Sequence, residues 1–345
     1  MLRAMYNFDH CAKSANLVAG QTVNPAAGFG YSNATLWAPA SMGVSSDGWL
    51  GGYASGATVN LAFDMTGIIP PNPTKVTFGW RVKTLQAYGS THAMISFSVP
   101  GSPNDTTAYI ISMAAAQAPW IPAVNGECYV ELTYDFVTFT PTLLVNGIPT
   151  PCTVGSAPNT AQKAAFVSGA WTINFVLANT LNARYAYRDI YIVDAVAGDG
   201  MTGPIGPQKM FPVFLDAADG AGWTALGAAT PMDVLNTALP ANPYTASPAD
   251  KTPLTTSLKT SAPAGSRVNA VSLSLSGTSL GDAPSTQKVE LTQGGTTLSP
   301  KFVSVGKTIT YGAPIGLFLK APDGNAWDLA KIDATTLKLT PDTGV

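Results

Sequence analysis

Charge is what this chain has least of. Asp, Glu, Lys and Arg make up 11% of its 345 residues, against ~25% in ordinary globular domains. The 18 basic and 20 acidic side chains nearly cancel, leaving a net charge of −2. No basic footprint points to nucleic acid or to an anionic membrane surface. Histidine is scarcer still, with His10 and His92 alone, so a Ser-His-Asp triad or a histidine-built metal centre has almost no material. His92 opens an alternating strand and reads as a packed or edge histidine rather than a base. Glutamate occurs only as Glu127, Glu131 and Glu290. Glycoside hydrolysis needs two carboxylates flanking one bond, and so thin an inventory does not lead one to expect an enzyme.

Other absences narrow the field further. No apolar run reaches the ~18 residues of a membrane-spanning helix. The opening MLRAMYNFDHCAKSANLVAG lacks a seven-residue apolar core, and Asp9, His10 and Lys13 interrupt it, so it is not read as a secretory signal. Cys11, Cys128 and Cys152 are odd in number and show no C-x-x-C spacing. They are expected to be reduced, mostly buried thiols rather than a disulfide framework or zinc site. The glycines are dispersed and never followed by Lys-Ser or Lys-Thr before a helix, so no phosphate-binding loop is expected. No cofactor is expected.

What the chain has instead is 33 Gly, 27 Pro and 46% hydrophobic residues. Disordered chains are poor in hydrophobes and usually highly charged, so the composition argues against disorder. A turn-rich β protein whose surface is partly covered by neighbours fits better, because low charge protects poorly against association. Period-two alternation supports the β reading at Val59–Met65, Val76–Val82, His92–Val99, Thr107–Ala114, Cys128–Tyr134, Thr142–Pro149 and Trp171–Leu177. Asn146-Gly147 is the strongest hairpin signal, since a type I′ turn needs positive φ at both central residues. Ala183–Gly200 (ARYAYRDIYIVDAVAGDG) reads as the closing strand of one domain, dissolving into Gly198, Gly200, Gly203, Pro204, Gly206 and Pro207. Nine or ten strands in under 200 residues, without helical periodicity, call for a two-layered or closed antiparallel architecture. Further on, Phe211–Leu215, Val271–Ser276, the hairpin of Lys288–Thr292 with Thr297-Leu298, Phe302–Val305, Ile309–Tyr311, Leu317–Leu319 and Thr336–Leu339 read as strands. Pro240–Pro263 reads as an extended excursion, and Trp327–Asp333 as a short helical turn.

Three of these pieces together resemble a concanavalin A-like (laminin G-like) jelly roll. They are Tyr129–Leu132, the L-x-V-N-G ending at Gly147, and the R-D-I-Y-I-V-D strand of Arg188–Asp194. The resemblance implies that the last strand returns beside the first, with Ile190 and Ile192 against Tyr6 and Phe8. Jelly-roll glycanases carry an E-x-D-x-E strand, and no such string occurs here. Asp189–Asp194, Phe211-Pro212, Trp223 and Trp327–Leu339 also make the layout similar to tailed-bacteriophage virion structural proteins, whose final segment reads as Trp, short helix and last strand. The expectation is an all-β protein. Residues 1–196 form a concanavalin A-like jelly-roll sandwich, 197–211 a Gly/Pro-rich linker, and 212–345 a second, smaller antiparallel β domain. The resemblance implies a non-enzymatic component of the virion, made in the host cytoplasm and displayed on head, collar or tail as a decoration or fibre-type protein. Its partners would be other virion proteins and further copies of itself, with threefold symmetry as in many phage fibres. Contact with a host surface glycan is a further expectation, and a free carbohydrate-binding lectin or a polysaccharide-degrading enzyme are the alternatives.

Candidate contact residues follow from position. Trp37, Trp49 and Tyr53 lie among turn residues, as rings pinning loops or as a platform for stacked sugars. Ser272, Ser274 and Ser276 alternate with leucines in a stretch free of charge between Arg267 and Asp282, and mark a candidate assembly surface. Asp47, Asp64, Asn104, Asp105 and Asp194 could offer calcium oxygen ligands. No D-x-D-x-D loop groups them, and solvated turns are the preferred reading, so no metal is expected.

Overall fold

The computed structural model describes residues 1–8, 34–36, 42–45, 47–52, 59–86, 91–98, 109–114, 124–154, 158–178, 184–196, 201–219, 223–226, 230, 233, 235–236, 244–246, 252–277, 285–305 and 310–342. The chain divides into two compact units, one running to Met210 and one starting at Phe211.

Unit 1 begins with β1 (Leu2–Tyr6), β2 (Ala34–Leu36), β3 (Met42–Val44), β4 (Leu50–Gly52) and β5 (Val59–Asp64). The long strands follow: β6 (Lys75–Gln86), β7 (Thr91–Ser98), β8 (Tyr109–Ala114) and β9 (Glu127–Asp135). Then come β10 (Thr140–Val145), β11 (Ile148–Thr150), β12 (Thr153–Val154), α1 (Thr160–Ser168), β13 (Thr172–Ala178) and β14 (Arg184–Asp194). All pairings between these strands are antiparallel, along the path β11-β10-β9-β6-β14-β13-β7-β8-β12. At its middle, β13 and β14 join through the single pair Ala178–Arg184, and there the path turns from one layer into the other. One layer is β11-β10-β9-β6-β14 with β1 and β4 on the far side of β14; the other is β12-β8-β7-β13-β5-β2.

The core between the layers is aromatic because alternate residues of each strand face inward. Trp80 of β6 meets Phe175 of β13 edge-on at 5.4 Å, and Phe175 meets Tyr187 of β14 at 5.4 Å. Phe97 of β7 packs on Tyr134 of β9 at 5.1 Å and on Trp171 at 5.3 Å. Edge-to-face contacts place the positive rim of one ring on the negative face of the next, worth ~0.5–1.5 kcal/mol each beyond burial. The Asn146-Gly147 turn joins β10 to β11 with φ of 49° and 79°, as the type I′ geometry demands. This is an all-β, two-layered antiparallel sandwich.

Several expectations change in detail. The last strand does return beside the first, but the register sets Ile190 against Tyr6 and Ile192 against Ala4, not Phe8. β14 lies inside its layer, with β6 on one side and β1 and β4 on the other. Helix α1 was not expected. Asn159 caps it, accepting from the Gln162 amide while the Gln162 side chain accepts from the Asn159 amide, and Gly169 ends it at φ 76°. Reciprocal caps of this kind satisfy two orphan amides and let a short helix form on a small buried face, here Gln162, Ala165 and Phe166.

Unit 2 is the smaller antiparallel β domain. It holds β15 (Val213–Asp219), β16 (Thr224–Leu226), β17 (Tyr244–Ala246), β18 (Leu254–Thr260), β19 (Val271–Gly277) and β20 (Ser285–Gln293). These are followed by β21 (Thr296–Thr297), β22 (Lys301–Val305), β23 (Thr310–Phe318), α2 (Leu329–Asp333) and β24 (Thr336–Asp342). The main sheet runs β15-β18-β24-β20-β21 with β22 also on β20, while β19 pairs with β23. The core draws Leu254, Leu258, Val289, Leu291, Leu337 and Leu339 from the main sheet, with Trp327 and Ile332 around α2. The Trp327 indole N–H donates to the Phe318 carbonyl at 2.8 Å, and the Asp328 carboxylate caps α2 by accepting from the Lys331 amide at 2.7 Å. The closing order is therefore Trp, short helix, last strand. The stretch 240–263 is not a plain excursion, since β18 occupies its second half and buries Leu254, Thr256 and Leu258. The two strands expected at 309–319 are one, β23, with a register shift opposite Leu273 and Ser274.

Candidate functional site

The unusual chemistry of unit 1 lies on the outer face of the β9-β6-β14 layer, turned away from the aromatic core. Phe78, Trp80 and Val82 face inward, so Gly79, Arg81 and Lys83 face outward; on β9 the outward residues are Tyr129, Glu131 and Thr133. A bulge in β14 inserts one extra residue opposite β6 between Arg188 and Tyr191. Asp189 sits in it at φ 51°, a left-handed conformation that aspartate tolerates better than most residues. After the bulge the phase is reset, so Tyr191 points outward over Gly79, its partner in register. Only glycine fits there: a Cβ on residue 79 would lie 2.0 Å from Tyr191 Cε1.

This face is covered by residues 201–210, within the segment expected to be a linker. The Gly206 amide donates to Glu131 Oε1 at 2.9 Å, and the Tyr191 hydroxyl donates to the same oxygen. The Tyr129 hydroxyl donates to the Gly206 carbonyl at 2.5 Å, and the Ile205 amide donates to the Tyr191 oxygen at 3.3 Å. The two tyrosine oxygens lie 3.0 Å apart. Each phenol has one proton, and Gly206 and Glu131 take them. At the other end the Met210 amide donates to Asp189 Oδ1 at 2.9 Å, and Arg81 Nε reaches the Gln208 carbonyl at 3.4 Å. Arg188 Nε and Arg81 Nε lie 3.0 Å and 3.5 Å from Asp189 Oδ2. Residues 201–210 form a strap held mainly by backbone groups, which explains how a Gly/Pro segment with few apolar side chains can be ordered.

Both carboxylates are sealed, Glu131 at 2% and Asp189 at 0% exposure. Burial, foremost, pushes the Asp189 carboxyl above the usual aspartate range, while the Met210 amide and the Arg188 and Arg81 guanidiniums pull it back. Burial likewise raises the Tyr129 and Tyr191 phenols, so both remain neutral donors. Every acceptor named here is engaged by protein. The arrangement holds a strap, and it presents neither carboxylate to a solvent-borne substrate.

The expected contact residues lie elsewhere. Trp49 is buried at 3% exposure, with Lys83 Nζ 5.9 Å and Arg188 Cζ 5.6 Å from its ring centre. It pins a loop by cation–π contacts and has no open face for a stacked sugar. Trp37 and Tyr53 lie outside the described residues, as do His10, Cys11, Asn104 and Asp105. The remaining candidate calcium ligands are engaged by protein groups. Asp64 accepts from the Thr66 amide at 2.8 Å, Asp47 from the Ser45 hydroxyl, and Asp194 from Arg3 at 2.6 Å. Among the described residues no three His, Cys, Asp or Glu side chains are grouped to hold a metal ion. Ser272 and Ser274 are exposed on β19 while Leu273 and Leu275 are half-buried against the unit 2 core; the side chain of Ser276 lies outside the described residues. The residues that organise the site are Gly79, Tyr129, Asp189 and Tyr191; the last three entered the sequence reading only as parts of strand motifs, not as site residues. Their one readable sign was the outward phase of Tyr129 and Glu131 on β9.

No family model and no curated protein matches the chain. Among solved structures it is similar to the CBM22-1 xylan-binding domain of Paenibacillus barcinonensis Xyn10C, at 9% identity and a TM-score of 0.33, over 57% of this chain and 97% of that one. It is similar to lectin II from Ulex europaeus at 12% identity and a TM-score of 0.33, over 57% and 100%. A sialidase matches at 9% identity and a TM-score of 0.31, over 46% of this chain and only 17% of the sialidase.

Proposed function

We propose that the protein is a non-enzymatic structural component of a tailed-phage particle, displayed on head, collar or tail, where weak contacts are multiplied by copy number. One observation carries the non-enzymatic part: Glu131 and Asp189 spend their acceptors on the strap and on Tyr191, Arg188 and Arg81 of the sheet rather than on an open cleft. The virion part rests on the resemblance of Asp189–Asp194, Phe211-Pro212, Trp223 and Trp327–Leu339, and the Trp–helix–strand order of the last segment agrees with it. The low charge of the whole chain suits a surface that meets other protein. Contact with host surface glycans belongs to the same proposal. Immunogold labelling of purified virions with antibody to this chain tests the reading; labelled particles are expected. Unlabelled particles would sink it. A free protein that binds on a glycan array would then favour the lectin alternative, and release of reducing sugar from host polysaccharide would favour the enzyme.

A further inference from the structure

The edges of the sheets differ in how they are guarded. In unit 1, β2 and β3 are three residues long, β12 is two, β1 carries Arg3, and β11 carries Pro149. In unit 2, β15 carries Asp216, Asp219 and a register shift, β21 is two residues long, β22 opens on Lys301, and β23 contains Pro314. Short length, charge, proline and bulges are the devices that keep an edge from pairing with another chain. β19 carries no charge and no proline, and the two register shifts of its pairing put their extra residues on β23 rather than on β19 itself. It runs for seven residues as VSLSLSG, and among the described residues β23 is its one strand neighbour.

We propose that β19 is a self-association edge, pairing antiparallel with β19 of a second copy about a twofold axis at Ser274; this rests on the assembly reading above. Two features select that partner and that phase. The edge is neutral, so a second copy brings no like charge against it. Residues directly opposite one another in a sheet also share a face. A twofold at Ser274 puts Ser274 opposite itself on the exposed face and Leu273 opposite the second copy's Leu275 on the core face. A register slipped by one residue would set leucine against serine and lose both. The arrangement is twofold, and it replaces the threefold symmetry that the resemblance implies.

The test uses the full chain. Sedimentation velocity over a concentration range is expected to show a reversible dimer. In the dimer residue 274 faces its own copy, so Ser274→Lys weakens association by up to about fivefold, as like charges directly opposite do, with the melting temperature unchanged. Ser274→Glu behaves the same way, and mixing the two variants restores a dimer. Under a mild oxidant Ser274→Cys forms an intermolecular disulfide, and Ser304→Cys on exposed β22 does not. A monomer at every concentration, a dimer indifferent to Ser274→Lys, or a mixture of lysine and glutamate variants that stays monomeric would each overturn the proposal. If Ser274→Lys melts lower, the cysteine pair decides. Labelled virions with a monomeric protein would remove this proposal alone, and a β19 dimer with unlabelled virions would remove the virion reading alone.

Discussion

Replacing Gly79 by alanine is the sharpest probe of the strapped face, because one methyl group strikes a single ring. The new Cβ would stand 2.0 Å from Tyr191 Cε1 and 2.3 Å from Cζ, well inside van der Waals contact, so the ring must move. It cannot move without taking its hydroxyl away from Glu131, the Ile205 amide and the Tyr129 oxygen. Overpacking of this kind costs ~1–3 kcal/mol. A lost hydrogen bond to a charged acceptor costs a further ~1.5–3 kcal/mol. The expected loss is about 3–5 kcal/mol, a large share of the ~5–15 kcal/mol that holds a typical domain folded. Urea unfolding, read on the transition of unit 1, measures it. The cause is isolated by a double-mutant cycle with Tyr191→Ala: with the ring gone the clash is gone, and Gly79→Ala should then cost less than ~1 kcal/mol. A Gly79→Ala protein within ~0.5 kcal/mol of the parent, or one equally destabilised with and without the Tyr191 ring, would refute the close-approach argument.

Further outcomes follow from the same geometry. Hydrogen exchange should find the Gly206 and Met210 amides protected, and Glu131→Ala should release Gly206 while leaving the amides of β6 and β9 slow. The buried Cys128 thiol, pushed up to about 12 mainly by burial and further by Glu127, should resist alkylation at neutral pH until the protein is unfolded; rapid native labelling would contradict it. Asn146→Ala puts a Cβ-bearing residue without a local acceptor at φ 49° and removes the acceptor for the Tyr129 amide at 2.9 Å, so about 1–2 kcal/mol should be lost, while Asn146→Gly should lose less. Asp189 takes up its proton more readily folded than unfolded, so the stability it contributes falls as pH rises through the window just above the ordinary aspartate range. Asp189→Asn should flatten that part of the stability–pH profile, and an unchanged profile would show that the carboxyl is not perturbed.

What could be read in the sequence was what is encoded locally. Alternation along Val76–Val82 and Cys128–Tyr134 located β6 and β9, because one face of each strand meets a core and the other does not. Asn146-Gly147 located its hairpin because few other residue pairs adopt its two positive φ angles. Helix α1 escaped because its buried face is only Gln162, Ala165 and Phe166, too brief for periodicity to register; the Asn159–Gln162 capping pair was the better signal. β18 escaped for a related reason. Threonine fills its central inward position at Thr256, and the apolar alternation disappears among neighbours rich in Pro, Ser and Thr.

The strap was illegible for a deeper reason. A Gly/Pro-rich segment has the same composition whether it hangs free as a linker or lies docked, since what docks here is its backbone: the amides of Ile205, Gly206 and Met210 and the carbonyls of Gly206 and Gln208. The specificity resides in the receiver, and the receiver is scattered over Gly79, Arg81, Tyr129, Glu131, Asp189 and Tyr191 on three strands that only the folded sheet brings together. What the sequence did carry was an anomaly on β9, in a chain with so few glutamates. Glu131 stands on the outward phase of a long strand, between Tyr129 and Thr133. An exposed carboxylate there needs nothing, whereas a covered one needs donors. The sheet supplies one in Tyr191 and the strap supplies the other in Gly206. Burying Glu131 is therefore tolerable only with residues 201–210 in place, so the strap belongs to the folding of unit 1 as much as any strand does.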